Sequence, residues 1–457
     1  RAETLADGLT ALRGRVGELA ATVLAAAMRT AAEMHDLMSR ASYPARLAVT
    51  TATDDPGRGA AMAAAQERST AIGTTLSFCD LEWAAADDAH AADVLADPQL
   101  DFCRHHLENL RLTRPHLLDE AEETIVAEKN QTGFSAWVRL FDELTSAITV
   151  DLPDELGGPG RPLMQAASML QHPDRSVRQQ VAAGITAGLE PGLRTRAFVF
   201  NTLLLDKAVD DRLRHYDSWI SSRNLANEAS DESVQALVEA VVDSYSIPQR
   251  WYRLKAQVLG LDRLADYDRA ASVASTDREI GWAEGTSIVR DAYSSFSPEL
   301  AGIVDRFIDE RWIDAPVRPG KRGGAFAAGV SPSHHPYVML NWTSTTRDVA
   351  TLAHELGHGV HFYLAREQGI YHQDVPLTVA ETASVFGETV TSNRLLSMID
   401  DPNERFALLA STLEDSIATV FRQIAMNRFE HAVHTTRRDE GELSVERFGD
   451  LWADSQE

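Results

Sequence analysis

One stretch constrains this chain more than any other: Thr346–Arg366, TRDVATLAHELGHGVHFYLAR. It has no proline, and its apolar residues Val349, Leu352, Leu356, Val360 and Tyr363 recur at steps of three and four. At about 100° per residue, that spacing predicts a helix with a stripe of side chains to bury. His354 and His358 fall roughly on the opposite side, one turn apart, with Glu355 beside them. The segment must therefore pack one face into a core and present two imidazoles on the other. This is H-E-x-x-H, the arrangement a zinc hydrolase uses.

The surroundings are those of a helical globular chain. Its 457 residues could bury a large core and would permit two or three domains. Alanine, leucine, arginine and glutamate abound and aromatics are only 7%, which favours a mostly α fold. No apolar run approaches bilayer length, and the N-terminal RAETLADGLTALRGRVGELA is amphipathic without a signal-peptide core. Cys79 and Cys103 lack a CxxC partner, so they read as reduced core residues of a cytoplasmic protein. The net charge of -25 argues against nucleic acid or anionic membrane as a partner and weakly favours cationic ligands, beside its plain effect on solubility. The oligomeric state is not legible.

Along the chain, residues 3–40 read as a long helix or helical pair and 43–59 (YPARLAVTTATDDPGRG) as a loop. AITVDL (147–152) followed by DELGGPGRP predicts a hairpin between two helical regions. It divides an N-terminal helical region, 1–145, from a catalytic domain, 146–457. The Gly/Pro/Arg-rich stretch 314–329 reads as irregular and YVMLNW (337–342) as a strand leading into the H-E-x-x-H helix. A second helix is expected over Leu377–Ile399, starting after Pro376, and a last one over about Asn403–Arg437.

A catalytic zinc takes three protein ligands, and His354 and His358 supply two. The metzincin continuation is absent, since GVHFYLAR follows His358. Glu381, 23 residues on in VAETASVFGE, can be folded back by a two-helix arrangement to become the third; the alternative is an exposed helix glutamate. Ser384 and Glu388 share its face as candidate hydrogen-bond partners of the ligands, Glu388 standing between that role and a salt bridge. His361, one turn beyond His358, is a candidate orienter. Glu355 points about 100° away from His354, which suits a general base acting on a zinc-bound water.

RDVATLAHELGHGVH with AETASVFGE resembles the oligoendopeptidase F family, relatives of thimet oligopeptidase. So do AEKNQTGFSAWVRLFDEL (127–144), DDRLRHYDSWISSRNLANEASDE (210–232), LGLDRLADYD (259–268) and KRGGAFAAGVSPSHHPYVMLNWT (321–343). The resemblance runs from about residue 70 to the end. It implies a mostly α, multi-helix peptidase fold enclosing a deep substrate channel, with a small β-sheet next to the H-E-x-x-H helix. It implies one zinc per chain held by His354, His358 and Glu381, with Glu355 as base, and oligopeptide substrates cut internally because the channel excludes folded proteins. A dipeptidyl- or carboxypeptidase of the same superfamily, and a catalytically weak peptide-binding fragment, are the alternatives. Tyr337, Val338 and Met339 would lie on an edge strand holding an extended peptide, or else on an internal strand. Gly324 would let backbone approach substrate or make a turn. Family members continue past the equivalent of LWADSQE into a His- and Tyr-rich segment thought to stabilise the oxyanion. Nothing between Glu388 and Glu457 matches it, so that stabilisation is expected from beyond Glu457.

Overall fold

The structure, a computed structural model, describes residues 1–53, 55–273, 279–318 and 320–456. The chain is mostly α, as its composition implies: twenty-one α-helices and two small sheets among the described residues. By contacts it divides into two units, Arg1–Thr124 with Arg278–Met398, and Ile125–Asp277 with Ile399–Glu457. None of its described helices is long and apolar enough to cross a membrane.

The first unit begins with helices Ala2–Thr10, Ala21–Thr51, Pro56–Ala84 and Arg104–Leu112. Leu24, Met34, Phe78, Trp83, Leu100 and Leu107 are buried together there, and the Trp83 indole donates to the Leu107 carbonyl at 2.9 Å. Cys103 is buried in this cluster and Cys79 packs against it; both are free thiols that burial pushes up to about 12. The loop expected over 43–59 is far shorter, because the helix continues through Pro44 to Thr51. A proline inside a helix costs about 3 kcal/mol, and tertiary bonds offset it. Arg322 N–H donates to the Thr50 carbonyl (2.8 Å) and Thr53 N–H to the Gly320 carbonyl (2.6 Å).

The sheet of this unit has Tyr337–Trp342 at its centre, parallel to Ile313–Pro316 on one side and antiparallel to Phe326–Ala328 on the other. The edge-strand reading of Tyr337, Val338 and Met339 is therefore corrected. Val338 pairs with both Ile313 and Ala327, and Met339 with both Asp314 and Phe326, so at these residues the strand has neighbours on both sides and is not an edge. Both flanking strands come from the stretch read as irregular, where Gly and Pro masked two short runs. Gly324 makes the turn: its φ is +81°, a backbone conformation that L side chains rarely adopt, and the Asn341 amide donates to its carbonyl at 2.9 Å.

The histidine helix spans Thr346–Ala365. Thr345 Oγ1 accepts from Asp348 N–H (3.2 Å), and Asp348 Oδ2 accepts from the N–H groups of Thr345 (2.9 Å) and Thr343 (2.8 Å), a reciprocal cap that fixes where the helix starts. Val349, Leu352 and Leu356 are fully buried, which is the stripe the spacing predicts. The second helix is not continuous. Leu377–Ala380 and Thr382–Met398 are separate helical segments, with Glu381 at the break, at φ −85° and ψ −2°.

In the second unit, Thr149–Val150 pairs antiparallel with Arg161–Pro162, the hairpin the Gly/Pro-rich turn predicts. The expected last helix is Pro402–Ile417, a π-helical turn at Ala418–Arg422, and Gln423–Glu440. Its His434 ring stacks on Trp219 at 4.7 Å, and the Trp219 indole donates to His431 Nδ1 at 3.1 Å. Both histidines are thus used within this unit's own packing.

Candidate metal centre

The site is set by how closely two helices meet. A Cβ on Gly357 of the histidine helix would lie 2.6 Å from Ser384 Cα and closer still to the Ala383 carbonyl oxygen. A Cβ on Gly387 would collide with the Tyr293 hydroxyl and the Ala353 carbonyl oxygen. Two glycines, one on each helix, let the backbones touch. Tyr293, buried at this seam, donates to the Ala353 carbonyl at 3.2 Å. Neither the glycine pair nor Tyr293 is flagged by the reading of the sequence, although the glycines in HELGHG and VFGE are its visible trace.

That seam brings Glu381 onto the histidines. His354 Nε2 and His358 Nε2 are 3.2 Å apart, and each lies 3.4 Å from Glu381 Oε2. A tetrahedral ion with bonds of about 2.0–2.2 Å separates its ligands by about 3.3–3.6 Å. The triangle of donors, two imidazole nitrogens and one carboxylate oxygen, thus fits a zinc-sized cation. Among the described residues, no other group of three or more His, Cys, Asp or Glu side chains converges in this way.

The other polar atoms hold the donors in place. His354 Nδ1 bonds to the Glu388 carboxylate, which leaves Nε2 with its lone pair toward the triangle. The Ala380 carbonyl accepts from the His358 ring. Ser384 Oγ, fully buried, donates to Glu381 Oε2 at 2.6 Å. Glu388 and Ser384 therefore both touch side chains of the donor triangle. Among the described residues His361 makes no hydrogen bond to His354, His358 or Glu381.

Electrostatics favour positive charge at the centre. The hydrogen bond to Glu388 raises His354 above the ordinary imidazole value, with the charges of Glu388, Glu355 and Glu381 adding to it. Burial lowers His358. Glu355 is only 6% exposed and is pushed up to about 7, chiefly by burial, with the Glu381 and Glu388 carboxylates adding to it. Its carboxylate also accepts the N–H of Ala327, in the sheet's edge strand. A buried carboxylate with a near-neutral proton affinity, next to a cation-sized triangle, has the makings of a general base. His334 and His335 lie apart from this chemistry, His335 stacking on Trp312 at 4.2 Å.

Two family models match the chain: Peptidase family M3 over residues 287–457 and Oligopeptidase F over residues 82–149. Group B oligopeptidase PepB of Streptococcus agalactiae is 29% identical over 389 residues, 84% of this chain and 64% of that protein. Oligopeptidase PepF of Bacillus subtilis is 26% identical over 367 residues, covering 79% of this chain and 54% of its own length. The chain thus spans between about half and two thirds of the length of these two curated relatives. Among solved structures, a putative peptidase from Chlamydophila abortus superposes with a TM-score of 0.81 at 21% identity, over 98% of this chain and 76% of that one.

Proposed function

Because the chain belongs to the oligoendopeptidase F branch of peptidase family M3, a family of metallopeptidases, we propose that it is a zinc-dependent endopeptidase that hydrolyses internal bonds of oligopeptides. The observation that carries this reading is the triangle of His354 Nε2, His358 Nε2 and Glu381 Oε2 with Glu355 buried beside it. His354, His358 and Glu381 would hold one zinc ion. A bound zinc supplies Lewis acidity toward a peptide carbonyl and acidifies water.

The chain's own residues do the rest. Glu355 takes the proton of the attacking water on its carboxylate and passes it to the departing amine. The Ala327 N–H fixes that carboxylate while the exchange occurs. Glu388 and Ser384 keep His354 and Glu381 aimed, sparing them a search for the binding rotamer. The substrate's main chain runs beside Phe326–Ala328, an edge strand of the sheet, using the groups of that edge other than the Ala327 N–H that Glu355 holds, rather than along Tyr337–Met339. In this reading 1–145 is the N-terminal part and 146–457 the catalytic part of a cytoplasmic peptidase.

An internally quenched peptide blocked at both ends tests the reaction. Cleavage by the zinc-loaded chain, abolished by a chelator and restored by zinc, is the expected result. Hydrolysis only of peptides with a free terminus would replace this reading by an exopeptidase. The ligand support has its own test. Glu388→Ala is expected to weaken zinc binding about 10–100-fold, read by competition with a chromogenic chelator, and unchanged affinity would remove Glu388 from the site.

A further inference from the structure

Past the two histidines, the same side of their helix carries one more large side chain. Phe362 stands four residues beyond His358, which at about 100° per residue leaves it near the donors and off the buried stripe. Its ring faces the His358 ring, with centroids 6.5 Å apart and 29° between the planes. The side chain is only half-buried. What covers the rest of it is main chain. A Cβ on Gly329 would lie 3.0 Å from Phe362 Cδ1 and 3.3 Å from Cγ, so the ring is seated directly on that glycine.

Gly329 follows the edge strand Phe326–Ala328, and two residues earlier the Ala327 N–H is held by Glu355. The strand thus passes the base at Ala327 and the ring about 6–7 Å further on. There its extended run stops. Val330, 4% exposed, has a φ of +58°, a left-handed conformation that is unfavourable for a β-branched side chain. Ser331 is fully buried, and the Ser333 hydroxyl donates to Asp36 Oδ1 at 2.6 Å, so the turn is anchored on both sides of its strain. A peptide laid beside this strand, with a carbonyl at the donor triangle, brings a side chain one or two residues away against Phe362.

We propose that Phe362, seated on Gly329 at the end of the edge strand, is a specificity-determining residue: it walls a subsite that takes an apolar side chain of the oligopeptide, within two residues of the bond that is cut. This rests on the reading of the centre as a peptidase site, and it adds which kind of residue the substrate must carry.

The preference follows from what the wall is made of. A leucine side chain placed against a phenyl face leaves water for carbon. An aspartate there gives up hydration to a ring that offers no hydrogen-bond donor. A single methylene in an apolar subsite separates substrates by about 10–200-fold, so leucine should exceed aspartate by about tenfold or more. The neighbouring ring supplies the comparison. Tyr363 packs on Trp312 at 6.1 Å and under the guanidinium groups of Arg306 and Arg366, at 5.2 and 3.9 Å from its centroid. It is as large as Phe362 and in the same turn, but it is spent on packing away from Gly329.

Blocked, internally quenched peptides of alanine and glycine, each carrying a single leucine or aspartate, test the subsite on the zinc-loaded full chain. Mass spectrometry locates the cut. In the unaltered chain the cut should follow the leucine as it is moved along the peptide, at a fixed offset of one or two residues. Leucine should exceed aspartate at that position by about tenfold or more in kcat/KM. Phe362→Ala should shrink this preference about fivefold or more and release the cut from the leucine. Phe362→Gln, close in length and suited to a half-buried position, should do the same and serves if the alanine variant does not fold. Tyr363→Ala should lower Tm while the offset and the preference stay as they are. A preference that survives both changes at 362, or that falls equally in Tyr363→Ala, overturns the proposal, as does a cut in the unaltered chain that ignores the leucine. Fluorescence anisotropy of the same peptides on the Glu355→Gln chain, with and without Phe362→Ala, gives the ratio of leucine-peptide to aspartate-peptide affinity. If the unaltered chain cuts no blocked peptide, the endopeptidase reading fails, and this ratio still decides the subsite: an equal ratio in both chains removes it.

Discussion

Glu355→Gln is expected to leave the zinc content of the chain intact and to lower kcat/KM for the blocked peptide by about 10²–10⁴. Glutamine keeps the length and shape of the side chain and can still accept the Ala327 N–H, but it cannot hold a proton as a carboxylate does. The expected loss is large because of where Glu355 sits. Its 6% exposure and the neighbouring carboxylates bring its proton affinity to about 7, where a base both takes and returns a proton near neutral pH. Glu355 is not one of the three converging donors, so metal content and turnover should separate. Zinc stoichiometry by atomic absorption, beside initial rates, makes the comparison. Activity within tenfold of the unaltered chain would remove Glu355 as the base, and loss of zinc would make it part of the ligand shell.

The features legible in the sequence are those whose cause is local. The histidine helix follows from a 3.6-residue rhythm contained in its own twenty residues, and so does the burial of Val349, Leu352 and Leu356. The short hairpin at Thr149–Val150 is equally local, since its turn chemistry lies between its strands. Strand neighbours are different. YVMLNW reads as a strand from composition, but whether it is central or at an edge depends on Ile313–Pro316 and Phe326–Ala328, two runs too short to announce themselves between glycines and prolines. The loop over 43–59 fails for a related reason. Pro44 is a local signal against helix, overridden by bonds that Thr50 and Thr53 make with residues about 270 positions away. At the metal centre the residue types and spacings are visible, whereas the Tyr293 bond and the break at Glu381 arise only when two helices pack.

That packing leads to the second large effect, at Gly357. Gly357→Ala adds a single methyl to the interior of a helix, where alanine is ordinarily favoured over glycine by about 0.5–1 kcal/mol. Gly302, in the helix Pro298–Asp309, shows the ordinary case: nothing lies within 4 Å of its added Cβ, and Gly302→Ala should raise Tm slightly. At Gly357 the methyl meets the Ala383 carbonyl and Ser384 Cα, both backbone atoms that no rotamer can move aside. Overpacking of this kind costs about 1–3 kcal/mol, and the helices can relieve it only by separating. Separation carries Ser384 and Glu381 away from His354 and His358, so a triangle now 3.2–3.4 Å on a side must open. Gly357→Ala should therefore lower Tm by several degrees and weaken zinc binding at least 10²-fold, measured by thermal unfolding and chelator competition, with Gly302→Ala unchanged in zinc affinity. A stable Gly357→Ala chain with undiminished zinc affinity would show that the seam between the two helices does not set the metal site, and that Glu381 reaches the histidines by the freedom of its own side chain.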